Sequence, residues 1–129
     1  MAKIERFEDI EAWKLARKAT KQVYQLSSGG EFNRDYGLRE QIRRESVSIM
    51  SNIAEGFDRG GNKEFINFLS IAKGSCAESR AQLYVALDQN YITPSQFEET
   101  EKCLYETGRL IGGFMKYLRG SELKGSKYL

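Results

Sequence analysis

The sequence predicts an all-α protein, an antiparallel up-down-up-down four-helix bundle. Three observations predict it. The 129 residues include one proline, and Leu, Ile, Ala, Glu, Lys and Arg, all good or tolerable helix formers, are frequent throughout. Apolar residues recur at helical spacing in four stretches separated by glycine-containing breaks. Two of the three breaks are short, which makes the helices they join antiparallel neighbours.

The first helix is expected over residues 9–26. Glu8, Asp9 and Glu11 place negative charge at its start, where the helix dipole is positive. Ile10, Trp13, Ala16, Val23 and Leu26 give an apolar face, and Lys14, Arg17, Lys18 and Lys21 occupy much of the rest. The following segment, SSGGEFNRDYG, is rich in glycine and turn formers and reads as a loop. Its Phe32 and Tyr36 are large enough to be expected over the end of the bundle.

The second helix, residues 37–56, organises the chain. Leu38, Ile42, Ile49 and Ile53 form one stripe, with Ser46 at the missing step. Glu40 precedes Arg44 by one turn, the spacing of a favourable ion pair. Ser46, Ser48, Ser51 and Asn52 make the later turns small and polar, so neighbouring backbones can approach closely. Gly56 is expected to end this helix.

The third helix is expected over residues 62–88 with Asn62 as its cap. Phe65, Phe68, Leu69, Ala72, Cys76, Leu83, Ala86 and Leu87 supply its apolar face. Gly74 in mid-helix costs about 1 kcal/mol of propensity, which suggests a close crossing at Gly74 and Ser75. The fourth helix, residues 94–119, opens with Thr93-Pro94-Ser95-Gln96. That order supplies a cap, a proline at the first helical position and a glutamine to close a capping box. Gly108, Gly112 and Gly113 call for a close neighbour or a kink. Residues 120–129 read as a frayed tail. If the turn between the second and third helices is centred near residue 59, Arg43 lies level with Ser75, and Glu78 meets Arg39 or Arg43.

A chain of this length makes one domain. It lacks an apolar run long enough to span a membrane, and its charged start argues against export, so a cytoplasmic protein is expected. Cys76 and Cys103 are too few for a disulfide framework and fall on helices as small buried hydrophobes. With 20 Lys and Arg against 18 Asp and Glu, the chain is nearly neutral but unevenly charged. Residues 14–21 are basic, and residues 98–106 are mainly acidic.

Three stretches, FEDIEAW at 7–13, YGLREQIRRESVSIMSNIAEG at 36–56 and EFINFLSIAKGSCAES at 64–79, resemble the bacterial four-helix-bundle proteins whose genes were first noticed inside intervening sequences of 23S ribosomal RNA genes. SNIAEG followed by IAKGS is the specific part of that resemblance. It implies the same antiparallel bundle and a homo-oligomer, a ring of five subunits. It implies no particular activity. A related branch, the accessory variability proteins of diversity-generating retroelements, binds a reverse transcriptase and nucleic acid, but it lacks both wordings.

Each candidate residue has a functional and a structural reading. Lys14, Arg17, Lys18, Lys21, Arg39, Arg43 and Arg44 could hold phosphate backbones of RNA or DNA, or be no more than a solvated exterior. No aromatic-rich recognition motif is evident beside them. Ser51, Asn52, Glu55, Gly56, Gly74, Ser75 and Glu78, the family wording, could line a polar site. The favoured reading is structural: a hydrogen bond for Asn52, an arginine partner for Glu55, and a close helix seam at Ser75. With no histidine, no phosphate-binding glycine loop and no zinc-spaced cysteines, no catalytic, cofactor or metal site is expected. The expected function is a non-catalytic oligomer associated with nucleic acid, or alternatively a ring-shaped scaffold for a protein partner. Trp13, Phe32, Tyr36 and Tyr117 are the apolar residues expected to be buried by oligomerisation.

Overall fold

The computed structural model describes residues 4–123, all helical apart from short connections and with no strand among them. A single 3₁₀ turn at Phe7–Asp9 precedes α1 (Glu11–Ser27), α2 (Gly30–Arg34), α3 (Tyr36–Arg59), α4 (Asn62–Asp88) and α5 (Pro94–Leu123). Four are long, and each packs on two others: α1 and α4 each lie against α3 and α5. Paired positions give the directions. Thr20 Oγ1 donates to the carbonyl of Ser46 and Arg43 Nε to Ser27 Oγ, so α1 and α3 run oppositely. Ser48 meets Ser75 where Gly56 meets Phe65, and Arg80 meets Glu101 where Asn62 meets Leu118, so α3 and α4, and α4 and α5, also run oppositely.

The first helix starts later than its periodicity suggests. Ile10 is extended, and residues 7–9 turn back so that the Phe7 ring meets Trp13 edge-on at 5.1 Å. Burying Ile10 outweighs the helix propensity of Asp9. From α1 the core receives mainly Ala12, Ala16, Ala19 and Val23, small side chains that let its neighbours lie close.

The expected loop contains α2, which delivers Phe32 to the end of the bundle at 1% exposure. Its ring stacks on Tyr91 at 5.6 Å, and Tyr91 donates its hydroxyl to Asp35, whose other oxygen caps α3 at Leu38. Tyr36 does not pack there. At 67% exposure it lies outside the bundle.

Gly56 does not end α3. The helix continues to Arg59, and Gly60, at φ +93°, makes the left-handed cap that glycine adopts without strain. Gly56 is buried because α4 crosses there: a Cβ on it would stand 2.7 Å from Phe68 Cβ and 2.8 Å from Phe65 Cδ1. The later turn also changes the register, so Ser75 lies level with Ser48 rather than Arg43. Glu78 consequently meets neither Arg39 nor Arg43 and is exposed.

Asn62 is the first helical residue of α4 rather than its cap, and its Nδ2 donates to the carbonyl of Leu118 at 3.1 Å. Gly74 faces open space, so the close crossing involves Ser75 alone. The capping box of α5 is formed in both directions, Thr93 N–H to Gln96 at 2.8 Å and Gln96 N–H to Thr93 at 3.1 Å. Gly108 lies against Cys76 and Gly112 against Lys73, whereas Gly113 has no such neighbour. The helix continues through residues 120–123, which the sequence reading placed in a tail; residues 124–129 of that tail lie outside the described residues.

The two mid-helix glycines should respond in opposite directions. Gly56→Ala should destabilise by about 1–3 kcal/mol, because overpacking against Phe65 and Phe68 outweighs the propensity gain. Gly74→Ala, which meets nothing, should stabilise by about 0.5–1 kcal/mol. Urea unfolding of both variants checks this.

Candidate nucleic-acid interface

The basic residues of α1 and α3 do not form one continuous patch. Lys14 is paired with Glu11 at 3.1 Å, and the Arg17 guanidinium lies over Trp13 at 5.9 Å. Lys18 turns toward α5, where it lines a cleft of about 660 Å³ with Glu98, Glu99 and Glu106. Lys102 lines the same cleft, so Lys18 faces a mainly acidic surface there rather than the cations of α3. Lys21 is exposed.

On α3 the arginines divide by role. Arg39 donates to the Asn33 carbonyl at 2.9 Å and to its side-chain oxygen at 3.0 Å. Glu40 pairs with Arg39 at 3.3 Å, not with Arg44 one turn on. Arg43 reaches back to α1, with Nε 2.8 Å from Ser27 Oγ and Nη2 3.2 Å from Ser28 Oγ. Arg44 is exposed. Tyr24, Glu40, Arg43, Arg44 and Val47 surround a shallow depression of about 350 Å³.

Two aromatic residues belong to this face: Tyr24, which the sequence analysis did not single out, and Tyr36, which it placed over the end of the bundle. The Arg43 guanidinium lies 4.5 Å from the Tyr24 ring centre, and that of Arg39 lies 4.9 Å from Tyr36. Both distances are those of a cation–π contact. The Tyr36–Arg39 pair was available in the sequence as a spacing of three on one helix. Tyr24 with Arg43 needed the α1–α3 register.

The family-wording residues separate into a seam and a surface. Ser75 bonds to Ser48 at 3.0 Å, and Asn52 Nδ2 donates to the Ser48 carbonyl at 2.8 Å and to its hydroxyl at 3.0 Å. Glu55 pairs with Arg59 at 2.9 Å. Ser51 is exposed beside Glu55 and Asp58 at a separate depression. Gly74 and Glu78 point outward from α4.

The family described as "23S rRNA-intervening sequence protein" matches residues 8–113. The chain belongs to that family. A crystal structure from Bacteroides thetaiotaomicron VPI-5482, described as a protein with unknown function from the S23 ribosomal protein family, resembles this member with a TM-score of 0.74. The two are 23% identical over 81% of this chain and 98% of that one. At that identity the likeness speaks for a shared fold. No curated protein matches the chain. This member of the intervening-sequence family has no helix among the described residues that is long and apolar enough to cross a membrane, and no described cluster of three or more metal-ligating side chains.

Its buried thiols are held in the neutral form. Burial pushes Cys76 up to about 12 and raises Cys103 in the same direction, so neither is a thiolate nucleophile near neutral pH. A thiol whose folded pKa is raised supports the fold below its unfolded pKa. That support is lost as the pH climbs from about 9 toward 12, because the unfolded chain gives up a proton that the native state keeps. Unfolding free energy should fall in that window by up to about 1.4 kcal/mol per pH unit from Cys76. Cys76→Ala should flatten the alkaline slope in urea titrations, which isolates its share from that of other groups.

Proposed function

We propose that this protein is a non-catalytic, nucleic-acid-associated bundle, acting through the exposed face shared by α1 and α3. The observation that carries the reading is the surface around Tyr24, where Arg43 and Arg44 line one depression and α1 presents the exposed Lys21. Clustered cations attract phosphates, and the aromatic neighbours offer contacts to sugar or base that a merely solvated face does not need. The chain's small net charge of +2 makes this a local attraction. Lys18 is left out of the site because it lines the cleft on α5 instead.

A second reading concerns assembly. Asn67, Ile71, Gly74, Glu78, Ala81 and Val85 fall on one outward stripe of α4 with alternating spacings of four and three, and all are exposed. Ile71 is 53% and Val85 45% exposed. Ile71, Gly74, Ala81 and Val85 supply apolar and small residues at the 4-3 spacing a partnering helix uses, Asn67 and Glu78 are polar positions within it, and Gly74 would let a partner's backbone come near. We infer a homo-oligomer built through this stripe, with the family resemblance favouring five subunits. The same surface also suits the scaffold alternative, with another protein as partner. Of the apolar residues first considered for assembly, Phe32 is already buried within the chain.

Lys21→Glu combined with Arg44→Glu should weaken binding to RNA and DNA by at least about tenfold at low salt, with the difference shrinking as salt rises. Glu40→Gln, which removes the carboxylate on the same rim, should strengthen it roughly two- to fivefold. Fluorescence anisotropy across a salt series reads both. Unchanged affinities would remove this face from the function. Ile71→Glu with Val85→Glu should convert an oligomer to monomers in light scattering while retaining the helical circular-dichroism spectrum, since neither residue is in the core. An unchanged molar mass would clear α4 of the interface.

A further inference from the structure

The α1–α3 face carries a more specific arrangement than a cluster of cations. Arg39 and Arg43 are four residues apart on α3, hence neighbours on one side of the helix. Each is tied down: Arg39 by two bonds to Asn33, and Arg43 by the hydroxyls of Ser27 and Ser28. Each in turn lies over a tyrosine ring, Tyr36 and Tyr24. The two rings remain 67% and 41% exposed. These bonds engage only part of each guanidinium's five N–H donors, but they fix where the two planar groups lie. In those positions the guanidinium groups lie against two exposed tyrosine rings; Arg44 lines the depression beside Tyr24, and Lys21 is one turn before Tyr24 on α1.

Building on the nucleic-acid reading above, we propose that this ladder recognises single-stranded nucleic acid. Unpaired bases stack on Tyr24 and Tyr36, and Arg44 and Lys21 hold the adjoining phosphates. Duplex bases already have both faces covered, so a duplex can use the cations but not the platforms. The rings are also held before binding, so less side-chain freedom is lost on stacking. Glu40, which pairs with Arg39 and shares the depression with Arg44, opposes phosphate there and moderates the attraction of the cations. Two phosphates per subunit should give a shallow salt slope of about −1.4 in log K against log salt.

The test uses the intact protein with labelled oligouridylate, oligothymidylate and a DNA duplex of matched length. Wild-type protein should prefer both single strands over the duplex. Tyr24→Leu and Tyr36→Leu should each lower single-strand affinity about tenfold, with duplex affinity and salt slope unchanged. Tyr→Phe at either position keeps the ring and should retain binding, which separates stacking from any effect of the hydroxyl or of folding. Unchanged single-strand affinity in the leucine variants, together with its loss in the Lys21→Glu, Arg44→Glu protein, would overturn stacking and leave the nucleic-acid reading standing. Absence of binding to all three probes would overturn both.

Discussion

The close crossing of α3 and α4 at Gly56 determines much of what lies far from it. A glycine there lets the backbone of α3 meet Phe65 and Phe68 at distances no side chain would permit. Because two helices in ridge-and-groove contact cannot slide freely, fixing this point fixes the level of everything above it. Ser48 then falls opposite Ser75, and their hydroxyls, with Asn52, satisfy one another along the seam. The same register denies Arg43 a carboxylate on α4. It turns to α1 instead, where Ser27 and Ser28 accept its hydrogen bonds and Tyr24 lies beneath its guanidinium. The aromatic face is in this sense a consequence of a packing constraint some three turns away.

Periodicity made the helices themselves legible, because burial of one face is a local property of spacing. The stripe of Ile42, Ser46, Ile49 and Ile53 is buried as the sequence indicates, and the start of α5 was readable from side-chain chemistry confined to four residues. The errors share a cause. Gly56 looked like a terminus because glycine ends helices more often than it accommodates a crossing, and only the position of Phe68 distinguishes the two. Ile10 looked like the first turn of a helix because spacing says nothing about a chain that bends back to bury Phe7 against Trp13. The aromatic partners of the arginines were hidden for a related reason: Tyr24 and Arg43 are neighbours only once α1 and α3 are aligned.

Charge was also redistributed by folding. In the sequence, Lys14, Arg17, Lys18 and Lys21 read as one basic segment, and their spacing does put them on one side of α1, but their neighbours divide them. Lys18 goes to the acidic cleft on α5 and Lys14 to Glu11, while Arg17 lies over Trp13. Fewer cations remain for a ligand than a count suggests. Those that remain are closer to exposed aromatic surface than the sequence indicates. For recognition the second change matters more than the first, since exposed ion pairs are worth little in salt and stacking is hardly screened.

The two proposed surfaces are also compatible in space. Within the bundle α1 packs on α3 and α5 but has no comparable contact with α4, so α1 and α4 are diagonal. An assembly joined through the outward stripe of α4 would therefore leave the α1 side, with Tyr24, facing away from the joint. Each added subunit would contribute another pair of aromatic platforms to the same particle. A strand engaged on one subunit would meet the next at a local concentration far above that in bulk, provided its length spans the gap. On the proposed reading, a modest affinity per subunit, which is all that two cations and two rings can supply, would then be sufficient for such an assembly to hold a long single strand.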